Sequence, residues 1–218
     1  IVIDPVNIYF KPDHLTFEEA ASMPLVFMTA YQMLIKRAKL LPDETALIYG
    51  GTSGVGSAAI QISRELGAKV IATAGNDKKC EFSKKIGADH VVNHSRDNWI
   101  NDVKNITGKS GVNVVFEHIG VTTWKQSLRV LSKGGRIVTC GATTGADVNV
   151  NLANLFIKQQ SILGSTMSTI SAFKEVMEKI NEKKYIPTVD QVFPMEDIRH
   201  AHEYMESRQQ LGKVVVAA

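Results

Sequence analysis

The amino-acid sequence predicts an α/β fold in which about six parallel strands form a doubly wound sheet with helices on both faces. Two observations lead to this prediction. Short apolar runs alternate with segments whose apolar residues have helical spacing, which is typical of parallel sheets covered on both faces. In addition, the stretch 45–56 reads as a strand, a glycine turn and the start of a helix.

The turn in this stretch carries glycines at positions 50, 51, 54 and 56, between the apolar run 46–49 and a helix predicted over 57–66. Glycines permit a tight turn and let a pyrophosphate approach the amides at the start of the helix, where the helix dipole favours negative charge. A turn without a ligand is the alternative, but four glycines in seven residues exceed what a turn needs. We therefore expect a dinucleotide to bind at Gly51, Thr52, Ser53, Gly54, Val55 and Gly56.

The other elements are predicted in chain order. Residues 1–15 are expected to form a strand and a loop. Thr16 and Glu19 are expected to form a capping box that opens a short helix. A second helix is expected to start at Pro24 and to reach Lys36. Strands are predicted at 69–74, 89–93, 112–118, 136–140 and 161–164, and helices at 77–86, 98–107 and 122–131. A helix at 170–182, a strand at 189–193, a helix at 195–206 and a strand at 213–216 no longer follow the βα rhythm.

Composition excludes several classes of function. The 218 residues are 44% hydrophobic and 22% charged with a net charge of +3, and no basic cluster is interleaved with aromatic residues, so nucleic acid is not an expected partner. No apolar run is long enough for a membrane span. Two cysteines, Cys80 and Cys140, lie far apart, which suits a reducing compartment, and we expect a cytoplasmic protein. The chain starts at Ile1 without a methionine, which suggests part of a longer protein.

Eight short motifs follow one another along nearly the whole chain: Phe-Glu-Glu-Ala-Ala at 17–21, Thr-Ala-Tyr at 29–31, Gly-Thr-Ser-Gly-Val-Gly at 51–56, Ala-Ile-Gln at 59–61, Gly-Ala-Lys-Val-Ile at 67–71, Gly-Ala-Asp at 87–89, Gly-Gly-Arg at 134–136 and Gly-Lys-Val-Val at 212–215. In this set and order the chain resembles the medium-chain dehydrogenase/reductase superfamily, specifically its quinone-oxidoreductase-like and zinc-type alcohol-dehydrogenase-like members.

The resemblance implies a division of the chain. Residues 1–40 would be a remnant of an N-terminal barrel-like catalytic domain with its connecting helix, and residues 41–168 a Rossmann-type NAD(P)-binding domain. Residues 169–218 would be a C-terminal helix and a return segment that packs towards the catalytic domain. The segment by itself is then expected to be inactive, with apolar residues 25–28 and 214–216 partly exposed.

The end of the second strand predicts the cofactor. An acidic residue about twenty positions after the glycines binds the ribose of NAD, whereas neutral and basic residues suit the 2′-phosphate of NADP. By resemblance that position is Gly75, followed by Asn76, and Asp77 is expected to cap the next helix. Lys79 follows in the next helix and His94 ends the next strand, so a 2′-phosphate would meet positive charge there. NADP(H) is therefore favoured over NAD(H), although lysines here are often only surface residues.

Other site residues are implied by the resemblance alone. Thr29 corresponds to a threonine near the nicotinamide ring and Val55 to the residue behind it. The strand end at Cys140, Gly141 and Ala142 corresponds to backbone that holds the carboxamide. His118 and Ile119 correspond to residues on the adenosine side, and Lys213 to a basic residue near the phosphates.

Zinc is not expected in this segment. Zinc-using members carry a cysteine two residues before the Phe-x-Thr-x-Tyr stretch, and this chain has Leu25 there, which has no ligand atom. His200 and His202 point to different faces of a helix, so they do not form a metal pair. Glu117 and His118 are interpreted as walls of the cofactor site rather than an acid/base pair, and no catalytic acid or base is identified.

The favoured function is transfer of hydride between a nicotinamide cofactor and a small-molecule carbonyl, quinone or enone. A short-chain dehydrogenase is a rival because the glycine spacing fits, but none of the five tyrosines has the required lysine four residues later. A nucleotide-binding module without turnover remains the alternative. The resemblance also implies a homodimer across the edge strand near 161–167, which Leu163→Pro is expected to weaken.

Overall fold

The computed structural model describes residues 2–218 and contains a six-stranded parallel sheet with the strand order β3-β2-β1-β4-β5-β6. This confirms the predicted fold class. The strands are β1 (Thr45–Ile48), β2 (Lys69–Ala74), β3 (His90–Asn93), β4 (Val112–Glu117), β5 (Leu131–Thr139) and β6 (Ser161–Gly164). Strands β2 and β3 are added on one side of β1, and strands β4 to β6 on the other. The point between β1 and β4 where the order of addition changes side is a switch point, and such a point opens a crevice at the carboxyl ends of the strands.

Helices cover both faces of the sheet, and the strand residues alternate between the two cores. The helices of the chain are α1 (Phe17–Ser22), α2 (Pro24–Tyr31), α3 (Gly54–Leu66), α4 (Asp77–Lys85), α5 (Trp99–Thr107), α6 (Val121–Val130), α7 (Leu152–Ile157), α8 (Ile170–Asn181) and α9 (Ile198–Glu206). Ala46 and Ile48 face one core with residues of α2, α3 and α8, whereas Leu47 and Tyr49 face the other with residues of α5 and α6. Within residues 2–218, no helix combines the length and the apolar character needed to cross a membrane.

The terminal segments meet in a second, smaller layer. Strands β7 (Val189–Pro194) and β8 (Lys213–Ala217) pair in parallel, and α1 and α9 pack on them. The predicted capping box opens α1: Thr16 Oγ1 accepts from the amide of Glu19, whose carboxylate accepts from the amide of Thr16. The tail therefore returns to the start of the chain, next to the large sheet.

Several local predictions are wrong. Within residues 2–15 there is no strand, and the only regular element is a 3₁₀ turn at Pro5–Asn7. The helix from Pro24 changes to a π-helical stretch at Gln32–Arg37, and α7 was not predicted. β5 starts five residues earlier than expected.

The apolar residues at 25–28 and 214–216, which were expected to be partly exposed, differ in their exposure to solvent. Leu25 is 56% exposed, but Phe27 is buried and stacks on Tyr185 with ring centroids 5.5 Å apart. Val214 and Val216 are partly exposed. More apolar surface is exposed before residue 11, including Phe10.

Candidate functional site

The glycine turn joins β1 to α3 at the carboxyl edge of the sheet. Gly50 has φ of +58°, and its carbonyl accepts from the amide of Ser53 at 2.8 Å. Ser53 caps α3, because its Oγ accepts from the amide of Gly56 at 3.0 Å. The amides of Gly54 and Val55 lie in the first turn of the helix, where no intrahelical acceptor exists. They lie at the positive end of the helix dipole, where negative charge is favoured.

Close packing inside the turn also requires the glycines. A Cβ at Gly56 would lie 2.1 Å from the carbonyl oxygen of Gly50, so a side chain there would displace the turn itself. At Gly51 it would lie 2.8 Å from Ser83 Oγ. The expectation that these glycines make room for a pyrophosphate therefore accounts for only part of the pattern.

The residue that precedes β8 is hydrogen-bonded to this turn. The amide of Gly212 donates to the carbonyl of Thr52 at 2.8 Å, and Thr52 is buried. This contact brings Lys213 beside Gly54, where an added Cβ would be 2.7 Å from Lys213 Cδ. Lys213 thus lies at the start of α3, as a residue near the phosphates would.

Helix α2 also lies close to Gly54 at the start of α3. A Cβ at Gly54 would also lie 3.0 Å from Val26 Cγ1. Thr29 follows Val26 by three residues on α2, so the two lie on one side of that helix. Thr29 is half-buried.

At the end of β2 the structure brings together four of the residues chosen from the sequence. Gly75 lies beside His94, whose Nε2 would be 3.4 Å from a Cβ at position 75. Asn76 caps α4, because its Oδ1 accepts from the amide of Lys79 at 2.9 Å. The predicted cap, Asp77, is the first residue of the helix instead, and its carboxylate pairs with Arg96 Nη2 at 2.9 Å.

Lys79 lies near His94 at this strand end, and its contact with the segment after α9 was missed by sequence reasoning. Lys79 Nζ donates to the backbone carbonyl of Arg208, which follows α9. Burial lowers the pKa of Lys79, and the nearby Arg208 lowers it further, against the opposing effect of Asp190. Partial burial and Lys79 likewise lower the pKa of His94. The two segments are 129 residues apart, so no local signal predicts this contact.

The ends of β4 and β5 form the far side of the crevice. His118 Nε2 is 3.1 Å from the carbonyl oxygen of Tyr49, and burial lowers the pKa of this imidazole. Its ring therefore packs over the end of β1. Ile119 is half-buried, and its carbonyl accepts from the amide of Thr144 at 2.8 Å. The loops after β4 and β5 are thus joined.

The residues after β5 differ in exposure. Cys140 is half-buried, and burial raises the pKa of its thiol, so the thiol form is favoured. Gly141 and Ala142 are exposed at the edge of the sheet. Their backbone is accessible from the crevice side of the strand ends.

A zinc site does not fit the described residues. Leu25 has no ligand atom, and no group of three or more His, Cys, Asp or Glu side chains in residues 2–218 is arranged to hold a metal ion. His200 Nδ1 instead lies 3.4 Å from Asp197 Oδ1 on an exposed surface.

Comparisons with known proteins agree with this geometry. The sequence matches the zinc-binding dehydrogenase family over residues 54–182. It is 33% identical over 216 residues to quinone oxidoreductase 1 of Escherichia coli, covering 92% of this chain and 65% of the relative. A crystal structure of an NAD-dependent alcohol dehydrogenase superimposes with a TM-score of 0.95 at 38% identity, covering 100% of this chain and 64% of that one.

A second solved relative contains a cofactor. The 2-octenoyl-CoA carboxylase reductase CinF, in complex with NADP and 2-octenoyl-CoA, superimposes with a TM-score of 0.85 at 28% identity over 95% of this chain and 51% of that one. The chain thus spans less than two thirds of the length of each of these relatives. The family match extends over more than half of the chain and includes Gly54 and Gly56 of the glycine turn and the ends of β2, β4 and β5. The chain therefore belongs to the zinc-binding dehydrogenase family, as the coenzyme-binding portion of a medium-chain dehydrogenase/reductase.

Proposed function

We propose that this chain binds NADPH and forms the coenzyme-binding part of an oxidoreductase that transfers hydride between the nicotinamide and a carbonyl, quinone or enone. The observation that carries the proposal is the assembly at one edge of the sheet. Amides in the first turn of α3, which have no intrahelical acceptor, lie at the same edge of the sheet as the neutral end of β2 with Lys79 near it. The first suits a pyrophosphate and the second a 2′-phosphate.

The preference for NADPH rests on the end of β2. Gly75 stands where an acidic residue would bind the ribose hydroxyls of NAD. His94 lies beside this position and Lys79 of α4 lies near His94, whereas Arg208 and Asp190 lie near Lys79. The relatives support nicotinamide cofactors of both kinds, since one solved structure is described as NAD-dependent and another holds NADP. The neutral strand end and the nearby lysine support NADPH over NADH in this proposal.

In this proposal each part of the cofactor is held by particular residues of the chain. Amides of Gly54 and Val55, with Lys213 beside them, would bind the pyrophosphate. Ile119 would line the crevice on the adenosine side, and the backbone at Gly141 and Ala142 would hold the carboxamide. Thr29 would lie near the ring.

The nicotinamide supplies the hydride when it is bound, and the chain orients it and shields one side of it. The residues that polarise the substrate are not assigned to this chain.

We also propose a homodimer across the edge strand β6, which pairs only with β5 among the described strands. The surface next to this edge is apolar: Phe156 and Ile157 are 69% and 66% exposed. The amide of Ser165 donates to Thr139 of β5, so by strand alternation the amide of Leu163 also points inward. A proline at Leu163 would disturb the sheet, and Ile162 is the position that tests the edge.

Calorimetry with NADPH and NADH tests the proposal. We expect NADPH to bind more tightly, and no binding of either nucleotide would overturn it. Oxidation of NADPH in the presence of quinones, enones and aldehydes then separates an enzyme from a nucleotide-binding module. Binding without turnover of any of these acceptors would favour the module.

A further inference from the structure

Glu117 is the last residue of β4, and its carboxylate is completely buried. Sequence reasoning placed it with His118 in the wall of the cofactor site. The structure turns its side chain inward instead, towards α6 and Tyr49. A buried carboxylate is costly unless its charge is compensated, so its surroundings require an explanation.

Neutral donors provide the compensation. Oε1 accepts from the amides of Ile119 at 2.6 Å and Gly120 at 3.2 Å. Oε2 lies 2.9 Å from the hydroxyls of both Thr123 and Ser127, which face it from α6. Bonds to an ionised acceptor are the stronger kind of hydrogen bond. The carboxylate thus fastens the backbone after β4 to the helix that follows.

The fastened segment has a sharp turn that depends on this support. Gly120 has φ of +95°, and a Cβ there would lie 2.3 Å from the carbonyl oxygen of Gly145. The same two loops are linked by Thr144, whose amide and hydroxyl both donate to the carbonyl of Ile119 at 2.8 Å. The amide of Val121 donates to Gly145 at 3.2 Å.

A chain of contacts therefore leads from the buried carboxylate to both far walls of the crevice. Glu117 holds Ile119 directly. Through the loop at 143–145 it also restricts the backbone of Gly141 and Ala142, which directly precedes that loop. The carboxylate itself lies beneath the loops and does not face the crevice.

We propose that Glu117 is a positioning residue of the cofactor site, which sets the shape of the loops after β4 and β5 without touching the cofactor. This inference rests on the proposed function for its consequence, but the contacts that carry it exist without a ligand. The end of β2 and the start of α3 are outside this network. Loss of the carboxylate should therefore weaken binding at Ile119 and at the backbone of Gly141 and Ala142, without changing the preference between NADPH and NADH.

The test compares the binding of NADPH and of NADH to the unsubstituted chain and to three variants. In Glu117→Ala we expect both nucleotides to bind about tenfold more weakly, equivalent to about 1.4 kcal/mol, with the ratio of the two affinities unchanged. Glu117→Gln keeps a carbonyl acceptor for the two amides and should restore most of the affinity. Ser127→Ala is the matched control: it removes one donor to Oε2 but leaves both amide bonds, so it should lower stability without weakening the binding of either nucleotide.

A second measurement is independent of any cofactor. In amide NMR spectra of the free protein, the proton of Ile119 should resonate downfield because of its short bond to the carboxylate, and it should move upfield in Glu117→Gln. An unchanged Ile119 resonance would overturn the proposal. So would an unchanged affinity for NADPH in Glu117→Ala, or a loss of affinity that Ser127→Ala shares in full, the pattern of a general loss of folding. If the unsubstituted chain binds neither nucleotide, the proposed function fails, while the NMR result still decides whether Glu117 orders the loops.

Discussion

Replacement of Gly75 by aspartate is the most informative change at the cofactor site. The position accepts a side chain, because Gly75 does not have a left-handed backbone and a Cβ would meet His94 Nε2 at 3.4 Å and Ser95 Oγ at 3.9 Å. Both distances are close to ordinary contact. The new carboxylate would stand where dinucleotide enzymes bind the ribose hydroxyls of NAD.

The size of the effect follows from charge and exposure. Two unit charges about 4 Å apart repel by about 1 kcal/mol in water and about 4 kcal/mol at a protein surface. Gly75 is half-buried, so a cost of about 2 kcal/mol for the 2′-phosphate is a reasonable middle value. A hydrogen bond to the 2′-hydroxyl of NADH adds about 1 kcal/mol in its favour. The ratio of the two affinities should therefore change by about a hundredfold.

Calorimetry of Gly75→Asp and Gly75→Ala with both nucleotides measures this ratio. The alanine variant introduces the same contact with His94 but no charge, so it should keep the preference for NADPH. Equal affinities of the unsubstituted chain for NADPH and NADH would refute the reasoning. A shift in Gly75→Ala as large as that in Gly75→Asp would show that size, and not charge, decides.

Three further predictions concern the scaffold. Gly56→Ala places a Cβ 2.1 Å from the carbonyl of Gly50 and should lower the free energy of unfolding by about 2 kcal/mol, measured with denaturant; a loss below about 0.5 kcal/mol would contradict the packing argument. Ile162→Pro should shift a dimer towards monomer in light scattering, and a protein that is monomeric at micromolar concentration in both forms argues against the β6 interface. Burial raises the pKa of Glu44, but the two hydrogen bonds from Arg136, at 2.8 and 2.6 Å, lower it overall. The contribution of this pair is therefore complete above the ordinary pKa of 4.5 and is lost as pH falls through the lowered value of the folded state. Glu44→Gln should lower the free energy of unfolding by about 2 kcal/mol at neutral pH, and this difference from the unsubstituted chain should disappear in acid. A difference in unfolding free energy that does not depend on pH would exclude the ion pair as its source.

The sheet was predictable because its signals are local and strong. Buried parallel strands are short apolar runs, and the glycine turn marks where the first of them passes into a helix. The missed helix α7 has only six residues and buries none of its side chains, so no apolar period indicates it. Its cap was visible, since Asn151 precedes it and accepts from the amide of Asn154.

The candidate site was predictable only as far as topology allows. Parallel strands end at one edge, so residues such as Gly75 and Ile119 could be placed together from the strand pattern. The contact of Lys79 with the backbone of Arg208 depends on how the tail folds back, which no local pattern contains. The inward direction of Glu117 was missed for a different reason: its donors lie within ten residues of it, but the strand pattern does not show how the following turn directs its amides.

The central claim is that a dinucleotide lies across the carboxyl edge of the sheet with its pyrophosphate at the start of α3. Amide NMR spectra recorded during titration with NADPH test this most directly. The account predicts that the largest shifts occur at Gly54, Val55, Gly75 and Ile119. Shifts confined to the separate cleft between α6 and α7, lined by Lys125 and other residues, would contradict it.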